Sequence, residues 1–252
     1  MIPFRHALVT GGGSGVGKEI ALALAGAGLD VTICGRREAQ LAEVAREDGR
    51  VFPVVADVTD EASMAALYEN AEAARGPFDI VVANAGMASS APAFKVSLAD
   101  WQRTLDVNLT GAFLTVKPAL AGMAKRRKGR LVFVASTASL KGYPYTAPYV
   151  AAKHGVLGLM RALAVEMVKT GITVNAVCPG FVETDMLEES VRRVVEKTGR
   201  SHADIRAEFR KDNPQGRFIQ PQEVAATVLW LVSEEAQSIT GQAISISGGE
   251  TW

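Results

Sequence analysis

The chain has 252 residues, 48% of them apolar and 21% charged, with 27 basic side chains against 27 acidic ones. That length and apolar content suit one large domain without a linker, and the even charge argues against nucleic acid or an anionic membrane as partner. No apolar run reaches membrane-spanning length and the opening Met1-Ile2-Pro3-Phe4-Arg5-His6 lacks a signal-peptide core, so a soluble, cytoplasmic protein is expected.

Short β-branched runs alternate with longer helical stretches. Strands are expected near 5–10, 30–34, 51–55, 79–83, 130–135, 172–177 and 243–246, and helices near 15–27, 38–47, 60–74, 100–126, 149–169 and 222–233. This alternation predicts a single α/β domain, a Rossmann-type doubly wound parallel sheet of about seven strands with helices on both faces. The stretch 185–216 breaks the pattern. It is charged, has helical spacing in Val191, Val194, Val195 and Ile205, and is expected to form a mobile lid over a substrate. Its charges pair at helical spacing, Glu188 with Arg192 and Glu189 with Arg193, which favours an apolar lid over a phosphate-binding arm. Cys34 and Cys178 each end an apolar run and are read as buried free thiols.

The first turn, Thr10-Gly11-Gly12-Gly13-Ser14-Gly15-Val16-Gly17, lies between the apolar Ala7-Leu8-Val9 and a helical stretch. Read alone it is a glycine-rich loop. Between a strand and a helix it is a site for the pyrophosphate of a dinucleotide, with backbone N–H groups and the helix dipole facing the anion. The second strand ends Cys34-Gly35-Arg36-Arg37 where selection of NAD calls for a carboxylate. Gly35 leaves room and Arg36, with Arg37 beside it, offers charge to a 2′-phosphate, so NADP(H) is expected, with NAD(H) as the alternative.

Further along, Tyr149 and Lys153 fall one helical turn apart, and Ser136 ends an apolar run thirteen residues before the tyrosine. A cation about 5 Å from a phenol at an effective dielectric of ~20 favours the phenolate by roughly 3 kcal/mol. Lys153 is therefore expected to lower the tyrosine pKa toward neutrality, with Ser136 holding a carbonyl or alcohol oxygen while Tyr149 moves the proton. A solvated helix face is the bland reading of Tyr-x-x-x-Lys. His154 points to another helix face and reads as structural. Three histidines and two distant cysteines give a metal site no support.

Taken together, these residues resemble the short-chain dehydrogenase/reductase family over the whole chain. The resemblance rests on residues 10–17, on Asn84-Ala85-Gly86, and on the spacing of Ser136, Tyr149 and Lys153. It implies that Asn108 completes the active-site group through a water linked to Lys153, and that Asp57 and Val58 meet the adenine. It also implies that Lys153 binds the nicotinamide ribose and that Pro179-Gly180-Phe181-Val182-Glu183-Thr184 holds the nicotinamide carboxamide, with contacts from Val182 and Thr184. Within the family, residues 175–186 look like the 3-oxoacyl thioester reductases and polyketide ketoreductases. The implied reaction interconverts a ketone and a secondary alcohol, with dehydrogenation of a cyclic, aryl or steroid alcohol as the runner-up and a non-catalytic dinucleotide sensor as the reading from another class.

In the basic run Lys125-Arg126-Arg127-Lys128-Gly129-Arg130, Arg127 matches an arginine that docks acyl carrier protein in such reductases. The second docking position is Thr170, beside Lys169, and a helix end decorated with cations is the equal alternative. The apolar stretches 100–124 and 155–168 predict a homodimer built on those two helices or, as the resemblance implies, a homotetramer.

Overall fold

The computed structural model describes residues 2–252. Its strands are β1 (His6–Thr10), β2 (Asp30–Gly35), β3 (Val51–Val55), β4 (Ile80–Ala83), β5 (Gly129–Val134), β6 (Ile172–Pro179) and β7 (Ala243–Ile246). They form one parallel sheet in the order β3-β2-β1-β4-β5-β6-β7. β1 pairs with β2 on one side, His6 against Asp30, and with β4 on the other, Ala7 against Ile80. The chain therefore reverses its direction of travel across the sheet between β3 and β4. That leaves a crevice beyond the carboxyl ends of β1 and β4, where no crossover covers the sheet.

Alternate strand residues feed two cores, as the period of two requires. On one face Leu131 and Phe133 pack with α3 (Glu61–Arg75), α5 (Gly111–Arg126) and α6 (Ala147–Met167). On the other, Val132 and Val134 pack with α1 (Gly15–Gly26), α2 (Glu38–Glu47) and α9 (Pro221–Leu231). The thiols of Cys34 and Cys178 are free and buried, as expected.

The single helix expected over 100–126 is two helices. α4 (Leu98–Leu105) runs into a π-helical turn at Asp106–Thr110 before α5 begins. The wider turn carries Asn108 inward, 1% exposed, at the kind of irregularity that recurs at functional sites. Stretch 185–216 forms α7 (Asp185–Thr198) and α8 (His202–Arg210). They enclose a small third core of Leu187, Val191, Ile205 and Phe218, with Phe209 stacked on Phe181 at 4.8 Å.

Candidate active site

The glycine turn is held by a strut that the sequence does not announce. Thr10 Oγ1 accepts from the backbone N–H groups of Asn84 and Ala85, both at 3.1 Å, and Asn84 Nδ2 donates to Thr10 O at 2.8 Å. Asn84 is thus spent on binding β4 to the turn after β1, so its expected role toward a cofactor becomes indirect. Gly11 has φ +67 and a Cβ there would stand 3.0 Å from Ala85 Cα; a Cβ at Gly17 would stand 2.4 Å from Gly11 O. Neither position accepts a side chain. Ser14 caps α1 without a side-chain bond, and the first turn of α1 has no acidic residue, so the helix N-terminus faces the crevice without a competing anion.

A cleft of about 200 Å³ opens beside this turn, lined by Gly11, Gly13, Gly35, Arg36, Arg37, Asp57, Val58, Ala85 and Gly86. Sequence reasoning singled out all of these, Gly35 as the gap before the arginines. It missed Gln40, Leu41, Ala56 and Val107, which complete the lining. Gln40 Oε1 is buried without a partner, an acceptor of the sort a bound ligand satisfies. Arg36 lies 3.9 Å from Asp57, whose carboxyl is held below its usual range chiefly by the Thr59 backbone N–H, with the Thr59 hydroxyl and Arg36 adding to it. Arg37 caps α2 and donates to Ser14 Oγ at 3.2 Å. The second wall comes from the end of β6. Val182 bridges to Ile219, Thr184 caps α7, and Thr184 Cγ2 would lie 3.2 Å from a Cβ at Gly15. A dinucleotide fits this chain: glycines where the backbone must approach, an unopposed helix N-terminus, and two guanidiniums at the strand end.

At the deep end of the cleft, a Cβ at Gly86 would stand 2.9 Å from Asn108 Oδ1 and 3.8 Å from Lys153 Nζ. Asn108 Nδ2 donates to Met87 O and Thr104 O, both at 2.9 Å, and Oδ1 accepts from Met87 N at 3.2 Å. The amide is largely engaged in holding the 86–88 loop. Lys153, 4% exposed, donates to Val134 O at 2.9 Å.

The expected depression of the Tyr149 pKa does not follow from this geometry. Desolvation pushes the phenol above 10, and only its hydrogen bond with Ser136 pulls the other way. The Lys153 nitrogen is 5.7 Å from the Tyr149 ring centre. It is itself desolvated, its pKa falling from 10.5 to about 8, and desolvation of the phenol is the larger effect at Tyr149. Ser136 begins the 3₁₀ turn Thr137–Ser139 and its Oγ accepts from Ala138 N at 3.1 Å, while its own O–H donates to the Tyr149 oxygen. His154 is exposed and bonded to Val150 O, as a structural residue should be.

Two charge expectations change. Glu188 pairs with His202 at 2.9 Å and with Arg206 rather than with Arg192, because α8 folds back onto α7; Glu189 pairs with Arg193 as expected. The basic run is partly consumed: Arg126 donates to Phe78 O, Lys128 sits 3.7 Å from Asp79, and Arg130 is buried over the Phe4 ring. Lys125 and Arg127 stay exposed, Arg127 in a left-handed conformation at the end of α5. Among the described residues no cluster of metal-ligating side chains occurs and no helix is long and apolar enough to cross a membrane.

A family model described as enoyl-(acyl carrier protein) reductase matches residues 11–251. The granaticin polyketide synthase putative ketoacyl reductase 1 of Streptomyces violaceoruber is 39% identical over 249 residues, covering 96% of this chain and 92% of that protein. A cis-4-hydroxycyclohexanecarboxylate dehydrogenase of Sinomonas cyclohexanicum is 38% identical over 251 residues, covering 98% and 96%. Among solved structures, a Phe-to-Trp variant of actinorhodin polyketide ketoreductase with NADPH superposes with a TM-score of 0.94 at 37% identity, covering 99% of this chain and 98% of that one.

Proposed function

The chain belongs to the short-chain dehydrogenase/reductase family, and from that premise we propose that it is an NADP(H)-dependent ketoreductase whose substrate is a 3-oxoacyl thioester. One observation carries the reading. Gly86 lines the dinucleotide cleft, and a Cβ there would stand 2.9 Å from Asn108 Oδ1 and 3.8 Å from Lys153 Nζ, so the acid–base residues adjoin the cleft.

Bound NADPH supplies the hydride. Ser136 turns its O–H from the Tyr149 oxygen to the substrate carbonyl oxygen and fixes the carbonyl carbon. Tyr149, kept protonated by burial, passes its proton to that oxygen as negative charge develops on it. Lys153, with a pKa of about 8, remains largely an ammonium at neutral pH and stabilises the same developing charge and the ribose side of the cleft. Asn108 keeps the 86–88 loop in place. In this reading Arg36 and Arg37 meet the 2′-phosphate, Asp57 and Val58 the adenine, and the Pro179–Thr184 loop the carboxamide.

A second reading, dehydrogenation of a cyclic secondary alcohol, is supported by the cyclohexanecarboxylate relative. A substrate screen following NADPH absorbance separates the two. Turnover of 3-oxoacyl-coenzyme A or carrier-protein thioesters above cyclic ketones supports the first; the reverse order replaces it with the second. The carrier-protein arm also tests Arg127 as a docking residue.

We further infer that α7 and α8 act as a lid, since their separate small core lets them move without disturbing the sheet. A homotetramer or homodimer through α5 and α6 is supported by Phe113, Val165 and Val168, which are 38%, 77% and 58% exposed. A concavity of about 290 Å³ lined by Arg161, Val165, Val168 and Thr240 adjoins them. The two reduced, buried thiols agree with a cytoplasmic setting.

A further inference from the structure

Near the C-terminus a carboxylate is buried where the catalytic description makes no use of it. The Glu250 side chain is 2% exposed, and its Oε1 accepts from the Tyr143 hydroxyl and pairs with Lys141 Nζ at 2.8 Å. The Tyr143 hydroxyl also lies 2.5 Å from Thr137 Oγ1. Burial, and next the bond to Glu250, push the Tyr143 phenol far up, so it remains a donor. Glu250 Oε2 has no partner, and a Cβ built at Gly180 would stand 3.0 Å from it. Asp212, at the foot of α8, feels the Glu250 charge: desolvation and then Glu250 raise its pKa.

We propose that Glu250 is a positioning residue that holds the acid–base loop at a fixed distance from the loop beginning at Gly180. The loop through 137–146 has Ser136 at its start and leads into the first turn of α6, which carries Tyr149. Thr137, Lys141 and Tyr143 are all on that loop, and Glu250 is tied to two of them directly and to the third through the phenol. Tyr145, in the same loop, has φ +64, and its carbonyl accepts from Ala91 N at 2.8 Å. A bulky residue held there needs its neighbours to enforce it.

The opposite oxygen lies beside Gly180, on the side where a Cβ would stand, and Gly180 N–H donates to Ile246 O at 3.0 Å. One carboxylate thus spans the wall that places the proton donor and the wall assigned to the nicotinamide. Relative placement of the two walls is what hydride transfer depends on.

This inference rests on the ketoreductase reading, and its test has an arm that does not. Glu250→Ala and Tyr143→Phe are each expected to lower kcat by about tenfold or more while KM and the Kd for NADPH stay within about threefold. Their double variant is expected to be no worse than the poorer single, and Glu250→Gln, which still accepts from Tyr143, to recover kcat to within about threefold of the parent. NADPH deuterated at the transferred position should show a larger kinetic isotope effect in Glu250→Ala. Independently, hydrogen exchange should quicken over 136–146 and 180–184 in Glu250→Ala and stay unchanged in β5.

Additive losses, an unchanged kcat, or exchange that rises evenly through the sheet overturn the proposal. If Glu250→Ala does not fold, Tyr143→Phe and Glu250→Gln decide. If the parent reduces no ketone, the ketoreductase reading falls and the exchange experiment alone decides the positioning role.

Discussion

Lys153 shows how far a single side chain departs from its solution chemistry. Its ammonium is 4% exposed with one hydrogen bond, to Val134 O, and burial lowers its pKa from 10.5 to about 8. Below pH 8 the fold holds this proton less tightly than the unfolded chain does, and the cost is present in full. Between pH 8 and 10.5 the cost shrinks, and above 10.5 it is gone, so this group makes stability rise with pH across that window. At most it amounts to about 3 kcal/mol. Apo Lys153→Met is therefore expected to melt higher than the parent at pH 7, with the gap closing as pH approaches 10; a gap independent of pH refutes the burial argument. Tyr149→Phe deletes the acid and leaves the cleft, so turnover should fall by at least about a hundredfold with NADPH affinity nearly unchanged, as read by steady-state kinetics beside fluorescence titration. Arg36→Ala should weaken NADPH by about tenfold and NADH little. Equal losses for the two cofactors would remove Arg36 as the selector.

At the level of elements, the lid proposed for α7 and α8 carries its own prediction. α7 is tied to the loop before α4 by Arg193, which donates to Ala88 O, and Lys197, which donates to Ser90 O, both at 2.8 Å. These are exposed or half-buried bonds around a small core, the low-stability end of a fold. Amides in 185–210 are expected to exchange quickly in the apo and NADPH-bound protein and to slow when a substrate analogue is added. Slow exchange without ligand would make the segment fixed scaffold.

The elements themselves were largely legible. β-Branched runs such as Val31-Thr32-Ile33 and Val81-Val82 mark strands because they suit a pleated surface buried on both faces, and the glycines of the first turn announce themselves by position. The π turn at Asp106–Thr110 was not legible, since the bonds that Asn108 makes to Met87 join residues 21 apart and leave no local pattern. Glu188 escaped for the same reason: helical spacing describes one helix and is silent about a second folded onto it. The bond between Tyr143 and Glu250 spans 107 residues and leaves no local trace at all.

For the molecule as a whole, α6 is informative. Beyond its active-site turn its exposed side includes Val165, 77% exposed, with Val168 just past its end at 58%, an apolar surface that a lone domain rarely shows water. Sedimentation equilibrium at micromolar concentration is expected to give a dimeric or tetrameric mass, and Val165→Glu with Val168→Glu to shift it toward the 26.7 kDa monomer. A parent that sediments as a monomer refutes the interface. The placement of β1 between β2 and β4 has a kinetic side. The first strand can pair early with its near neighbour, Ala7 with Val31, but its other edge waits for Ile80, more than seventy residues later in the chain. Closing that long loop is entropically slow. The crevice exists only once that seam is closed. Cofactor added during refolding is therefore expected to lengthen the life of the finished fold rather than to speed its formation.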